Sequence, residues 1–163
     1  GMAALNNKVF FILSDTSKPS QQFNIKLQAW SEVPAIPVSY TSYSVCPVEL
    51  TEKLYVYGRS GDRQAMLELD LKTFTWKPIF IPIEIGEEML IELRGTSSMI
   101  YIHSSTIWRI DPDAQTVCEV GEVNKARIFF YFVHEGSLIY IRDEATLTEK
   151  FPTYVQQLAL GSS

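Results

Sequence analysis

The chain has 163 residues, a formal net charge of −5 and 20% charged residues. With 46% hydrophobic residues it can bury a core, which excludes a disordered, solvating chain. Its densest basic stretch is Lys125 and Arg127, far short of the stripe that displaces counterions from phosphates, so nucleic acid is not an expected partner.

No apolar run nears the ~20 residues that cross a bilayer as a helix, so no membrane partner is expected. Gly1-Met2 reads as a leftover residue before a start methionine and Gly161-Ser162-Ser163 as an appended tail; neither carries structural weight. The two cysteines, Cys46 and Cys118, lack metal-ligand spacing, and without a signal peptide they are expected as reduced, partly buried thiols in a cytoplasmic protein. Aromatics reach 12%, a composition that suits strands.

Taken in chain order, four segments present an apolar strand with a ring at its centre: Lys8–Ile12, Lys53–Tyr57, Met99–His103 and Leu138–Arg142. With Phe10, Tyr55, Tyr101 and Tyr140 as equivalents the spacings are 45, 46 and 39 residues, the length of one four-stranded repeat. Each strand follows a short polar pair: Asn6-Asn7, Thr51-Glu52, Ser97-Ser98 and Glu135-Gly136. First strands are predicted at Met2–Leu5, Val38–Val45, Met89–Leu93 and Ile128–Val133, and third strands at Gln22–Ile25, Met66–Leu69, Thr106–Ile110 and Tyr154–Leu160.

A matched element leads from third to fourth strands. Asn24 and Asp70 each start a turn with a short polar side chain, and Trp30 and Trp76 follow six positions later. Asp111-Pro112-Asp113 opens the third copy, with one residue inserted and Val117 in place of Trp; Trp30, Trp76 and Val117 are expected as core positions of outer strands. No stretch sustains helical periodicity, although 144–150 could form a turn or two before Pro152. The reading is all-β, about fifteen short strands in repeats at about 2–34, 38–80, 88–121 and 126–160 of a single unit, the fourth stopping after its third strand.

Leu54-Tyr55-Val56-Tyr57-Gly58 followed by Leu69-Asp70-Leu71-Lys72-Thr73-Phe74-Thr75-Trp76 is similar to the kelch repeat. The resemblance covers nearly the whole chain, but the double glycine that usually ends the second strand is reduced to Gly58, which leaves other propeller families open. It implies a β-propeller whose blades recognise partner proteins, in many relatives as the substrate adaptor of a ubiquitin ligase behind a BTB domain. Four repeats are few for the six- or seven-bladed rings of that family, so the expectation is a partial propeller, a segment of a longer one or one completed by self-association.

In such a fold one rim gathers the loops between second and third strands, here Asp15–Gln21, Arg59–Gln64, His103–Ser105 and Asp143–Thr153. The same rim gathers those between blades, Pro34–Pro37, Pro82–Glu88 and Glu122–Lys125. Arg59, Asp62, Arg63, His103 and Arg142 are the candidate partner-binding residues, because guanidinium forks grip carboxylates and are enriched at interface hot spots. They would take an acidic or hydroxylated peptide segment, with Glu84, Glu87 and Glu88 opposing them.

No catalytic, metal or cofactor site is expected. His103 and His134 fall in different repeats without hydrogen-bonding neighbours in sequence, no nucleophile elbow or phosphate loop is present, and Asp111-Pro112-Asp113 reads as a turn starter rather than a calcium loop. The function expected is protein–protein interaction; a glycosidase-like propeller enzyme and a self-associating scaffold are the alternatives.

Overall fold

The computed structural model describes residues 1–81, 90–93, 95–103, 106–122, 127–134, 137–143 and 153–159, with side chains through Glu122 apart from that of His103. The possible helical turn at 144–150 lies outside them. The described residues form fifteen strands and no helix.

Blade 1 holds β1 (Met2–Leu5), β2 (Lys8–Phe11), β3 (Ser20–Asn24) and β4 (Ala29–Val33). Blade 2 holds β5 (Ser42–Val48), β6 (Lys53–Ser60), β7 (Arg63–Asp70) and β8 (Thr75–Ile79). Blade 3 holds β9 (Leu90–Glu92), β10 (Met99–His103), β11 (Thr106–Asp111) and β12 (Thr116–Glu122). The fourth sheet, β13 (Arg127–His134), β14 (Ser137–Asp143) and β15 (Thr153–Ala159), has three strands. Every sheet is an antiparallel meander, and the first strands lie side by side, β1 on β5, β5 on β9 and β9 on β13. Sheets radiating from adjacent inner strands are the blades of a propeller, here a partial one.

Strand alternation drives the stacking, since successive side chains leave a strand on opposite faces. From β6, Leu54 and Val56 enter a core shared with Ala3, Leu5, Phe10 and Ile12 of blade 1. Tyr55 and Tyr57 enter a second core, shared with Met99, Tyr101 and Ile110 of blade 3. A strand buried on both faces reads as an unbroken apolar run, and this one does.

The register corrects the repeat alignment. Phe10 and Tyr55 both face the following blade, whereas Tyr101 faces back towards blade 2. Pairing Asn24, Asp70 and Asp111 as equivalent turn starters makes Lys8, Lys53 and Ser98 equivalent, hence Phe10, Tyr55 and Ile100, with both spacings 45. One residue of offset moves a side chain to the other face of the sheet.

The matched turns are alike in all three blades. Asn24↔Ala29, Asp70↔Thr75 and Asp111↔Thr116 each enclose four residues, so the third copy carries no insertion. The Asn24 carboxamide oxygen accepts the Leu27 amide (3.0 Å), Asp70 Oδ1 those of Lys72 and Thr73 (2.8 and 3.0 Å), and Asp111 Oδ1 those of Asp113 and Ala114 (3.1 and 3.0 Å). The fourth loop residue, Gln28, Phe74 or Gln115, closes each turn at a φ of 52–53°. These amide bonds hold the Asp70 carboxyl below its ordinary pKa.

Other expectations shift. β5 begins at Ser42 rather than Val38, because the preceding residues form a loop that sends Tyr40 into the core, its hydroxyl 3.3 Å from the Ala65 carbonyl. The Thr51-Glu52 pair belongs to a four-residue loop closed by Val48↔Lys53. Trp30 is 59% exposed and not a core residue, while Trp76 is half-buried and its indole N–H donates to the Pro34 carbonyl at 3.0 Å. Cys46 is buried but Cys118 is exposed; neither forms a disulfide.

Gly58, near the end of β6, has a steric cause. A Cβ there would sit 2.1 Å from the Ser42 carbonyl oxygen and 2.7 Å from the Tyr43 Cα. Only glycine lets β5 and β6 approach so closely.

Candidate binding rim

The tip of blade 2 forms part of the expected rim. β6 and β7 run on to Ser60 and Arg63, so the expected loop at 59–64 is mostly strand, joined by the two residues Gly61 and Asp62. Gly61 takes a φ of 60° and Asp62 does not follow it into positive φ, the pattern of a type II′ hairpin. Arg59 Nε donates to the Gly61 carbonyl at 3.2 Å, and the Arg59 carbonyl accepts both the amide and the hydroxyl of Thr41 (2.8 and 3.0 Å). The hairpin is therefore bonded to itself and to the loop entering its blade.

Arg59, Asp62 and Arg63 are exposed, and among the described residues neither arginine is ion-paired with a carboxylate. Register separates them: Arg59 alternates with Tyr55 and Tyr57 towards blade 3, whereas Arg63 pairs with Ser60 on the face towards blade 1. The structure brings these three into one hairpin, with the two guanidinium groups straddling its edge.

His103 ends β10 opposite Thr106, and Arg142 lies one residue from the end of β14 opposite Tyr154. Both occupy the same end of their sheets as Arg59, but His103 is equivalent to Gly58, one residue short of Arg59, by the corrected register. Their side chains lie outside the described set, as do Glu84, Glu87, Glu88 and most of the loops at 82–88 and 122–125. In blade 1 the corresponding loop is tied by Asp15, whose Oδ1 accepts the amide and hydroxyl of Ser17 (2.9 and 2.6 Å) and whose pKa is lowered by those bonds.

The opposite end of the blades holds a polar group that sequence reasoning missed. Between blades 2 and 3, Lys53 Nζ lies 3.3 Å from Glu68 Oε2 and 2.5 Å from Asp113 Oδ1, and the Tyr55 hydroxyl donates to Glu68 at 3.2 Å. Glu68 is 4% exposed, and Lys77 stands 3.8 Å from its other oxygen. Burial, with the Glu68 charge second, pushes the Tyr55 phenol up. Burial works against the Lys53 charge, but its carboxylate partners outweigh it and raise the pKa.

Each charge in this group faces an opposite one, and the Lys53–Asp113 pair carries the matching across the seam. The signal was a lone carboxylate inside Met66-Leu67-Glu68-Leu69. Asp111 and Asp113 are engaged by turn amides and by Lys53, which makes the pair a turn starter as expected. Burial raises the pKa of Cys46, with Glu92 adding to it, and such a thiol is a poor nucleophile.

No protein-family model and no curated protein matches the sequence. Solved structures do. A chain of a nidogen/laminin complex superposes with a TM-score of 0.59 at 8% identity, covering 94% of this chain and 56% of its own length. TolB from Acinetobacter baumannii gives 0.66 at 9% identity, with 96% and 40% covered. The tricorn protease gives 0.62 at 13%, with 96% and 15% covered. The chain thus spans about half or less of the structures it resembles, and at these identities the likeness carries the propeller fold alone.

Proposed function

We propose that the chain is a protein-interaction module that takes an acidic peptide segment on the rim formed by the β6–β7 hairpin. The observation that carries this is the pair Arg59 and Arg63: two exposed guanidinium groups without carboxylate partners among the described residues, on a hairpin whose backbone is fixed by Gly61 and Thr41. Pre-ordered arginines lose less conformational entropy on binding than lysines on a mobile loop, and their planar forks bind carboxylates bidentately. Because the two side chains leave opposite faces, an extended acidic segment crossing the hairpin edge fits better than a single carboxylate.

The kelch-like character of Leu54–Gly58 and Leu69–Trp76 supports a recognition role of the substrate-adaptor kind, and the nidogen/laminin complex places a propeller-like chain in a protein assembly. His103 and Arg142, at the same ends of their sheets, extend the proposed surface. Binding rather than catalysis is our reading because the titratable groups of the described seam are spent on one another. An array of acidic and neutral peptides probed with the labelled chain tests it: acidic peptides should be retained, and retention should vanish with Arg59→Glu/Arg63→Glu. Equal retention of neutral peptides, or of acidic ones by the variant, would refute it.

A further inference from the structure

Among the described residues, one side of blade 1 is an interblade face without a blade packed on it. Alternation places Met2, Ala4, Val9, Phe11, Phe23 and Trp30 together on the side away from blade 2. The rings form a cluster, Trp30 lying 5.4 Å from Phe11 and 5.0 Å from Phe23 between centroids. Trp30 is 59% and Met2 67% exposed.

The same positions in the next two blades are covered. Val9, Phe11 and Phe23 correspond by register to Leu54, Val56 and Leu69, and then to Met99, Tyr101 and Ile110, none more than 0% exposed. Trp30 corresponds to Trp76, half-buried and bonded to blade 1, and to Val117, packed against the second core. In both covered cases the occupant is the forward face of a preceding four-stranded blade.

We infer that this face receives the outer face of the fourth sheet (β13–β15) of a second copy of the chain, and that two such contacts related by a twofold axis close a ring of two copies. Pseudosymmetry within the chain identifies the occupant as a blade. β14 reads Leu138-Ile139-Tyr140-Ile141, apolar at consecutive positions, the composition of a strand meant for two covered faces.

Four sheets in each of two copies make eight, within the ~4–8 blades that such rings use. Size favours closure over an open chain. The three strands of the fourth sheet cover about 14 by 15 Å of this face, roughly 210 Å² per side. One contact then buries about 420 Å², far below the ~1,200 Å² of a stable interface, whereas closing the ring doubles the buried area for the same two copies. A head-to-tail contact that closes also avoids the open filaments of one that does not.

Light scattering on the eluting chain, loaded from about 10 to 500 μM, reads the outcome. The wild type should run at twice the chain mass, and Trp30→Glu and Ala4→Arg, which place charge on the outer and inner strands of this face, should each run as monomers with unchanged far-UV circular dichroism. The control Leu27→Glu, on the exposed β3–β4 turn, should stay dimeric. A wild type that is monomeric throughout overturns the inference, as do dimers that survive both variants. Larger assemblies abolished by these variants would overturn the closed ring. Should Trp30→Glu lose its dichroism, Ala4→Arg decides alone.

Discussion

Replacing Lys53 with methionine removes the cation that holds blades 2 and 3 together at their polar seam. It leaves Glu68, 5% exposed at its side chain, with the Tyr55 hydroxyl and a Lys77 ammonium 3.8 Å away. Breaking a buried pair by removing one partner costs about 3–5 kcal/mol. Lys53 is itself 16% exposed, and Lys77 is free to approach, so we expect about 2–3 kcal/mol. For a chain of this size that lowers the melting temperature by about 5–10 °C.

The companion Lys53→Met/Glu68→Leu removes both charges. Its cost should be about 1 kcal/mol, chiefly the Tyr55 hydroxyl left without its acceptor, since the exposed Asp113 returns to water. Urea unfolding followed by circular dichroism measures both, with an unchanged m-value licensing the comparison. A single variant that loses less than about 0.5 kcal/mol, or a double variant that loses as much as Lys53→Met or more, would refute the reasoning.

The same seam makes stability fall at alkaline pH. The Lys53 pKa is raised, so its contribution is whole below the free-lysine value of about 10.4 and disappears as the pH rises through the folded-state value; the raised Tyr55 pKa acts with the same sign. Urea midpoints from pH 8 to 11 should fall less steeply in Lys53→Met than in wild type. Gly58→Ala should destabilise by about 3 kcal/mol, because the added methyl runs into the backbone of β5 at Ser42 and Tyr43, and thermal unfolding reads this directly. Asp70→Ala should lower the melting temperature and Asp70→Asn should not, since Asn24 performs the same turn function in blade 1. A thiol reagent should modify Cys118 in the native protein within minutes and reach Cys46 only on unfolding, which peptide mass mapping checks.

The repeat was legible because its turn chemistry is local: Asn24, Asp70 and Asp111 organise four-residue loops with their own side chains, and no other part of the chain is needed. The alignment of Tyr101 was not. Met99-Ile100-Tyr101-Ile102 is apolar on both alternations, so periodicity cannot say which face the ring takes, and the answer comes from pairing with β11.

Trp30 and Trp76 show the same limit. Their positions are equivalent, yet burial depends on whether a blade lies beside them, which no local pattern contains. At the rim, the residue types of Arg59, Asp62 and Arg63 were readable and their exposure followed, but their division between two faces required the II′ hairpin's register. Glu68 was passed over because a single charge in a strand reads as a solvent-facing residue until both faces are known to be covered.

The claim that the β6–β7 hairpin is a recognition edge is tested most directly by calorimetric titration of an acidic peptide into the wild type and into Arg59→Glu/Arg63→Glu. Guanidinium–carboxylate recognition predicts binding that weakens with added salt and falls at least tenfold in the variant, with both proteins melting at the same temperature. An affinity unchanged by the double charge reversal, in a variant that is folded, would contradict it.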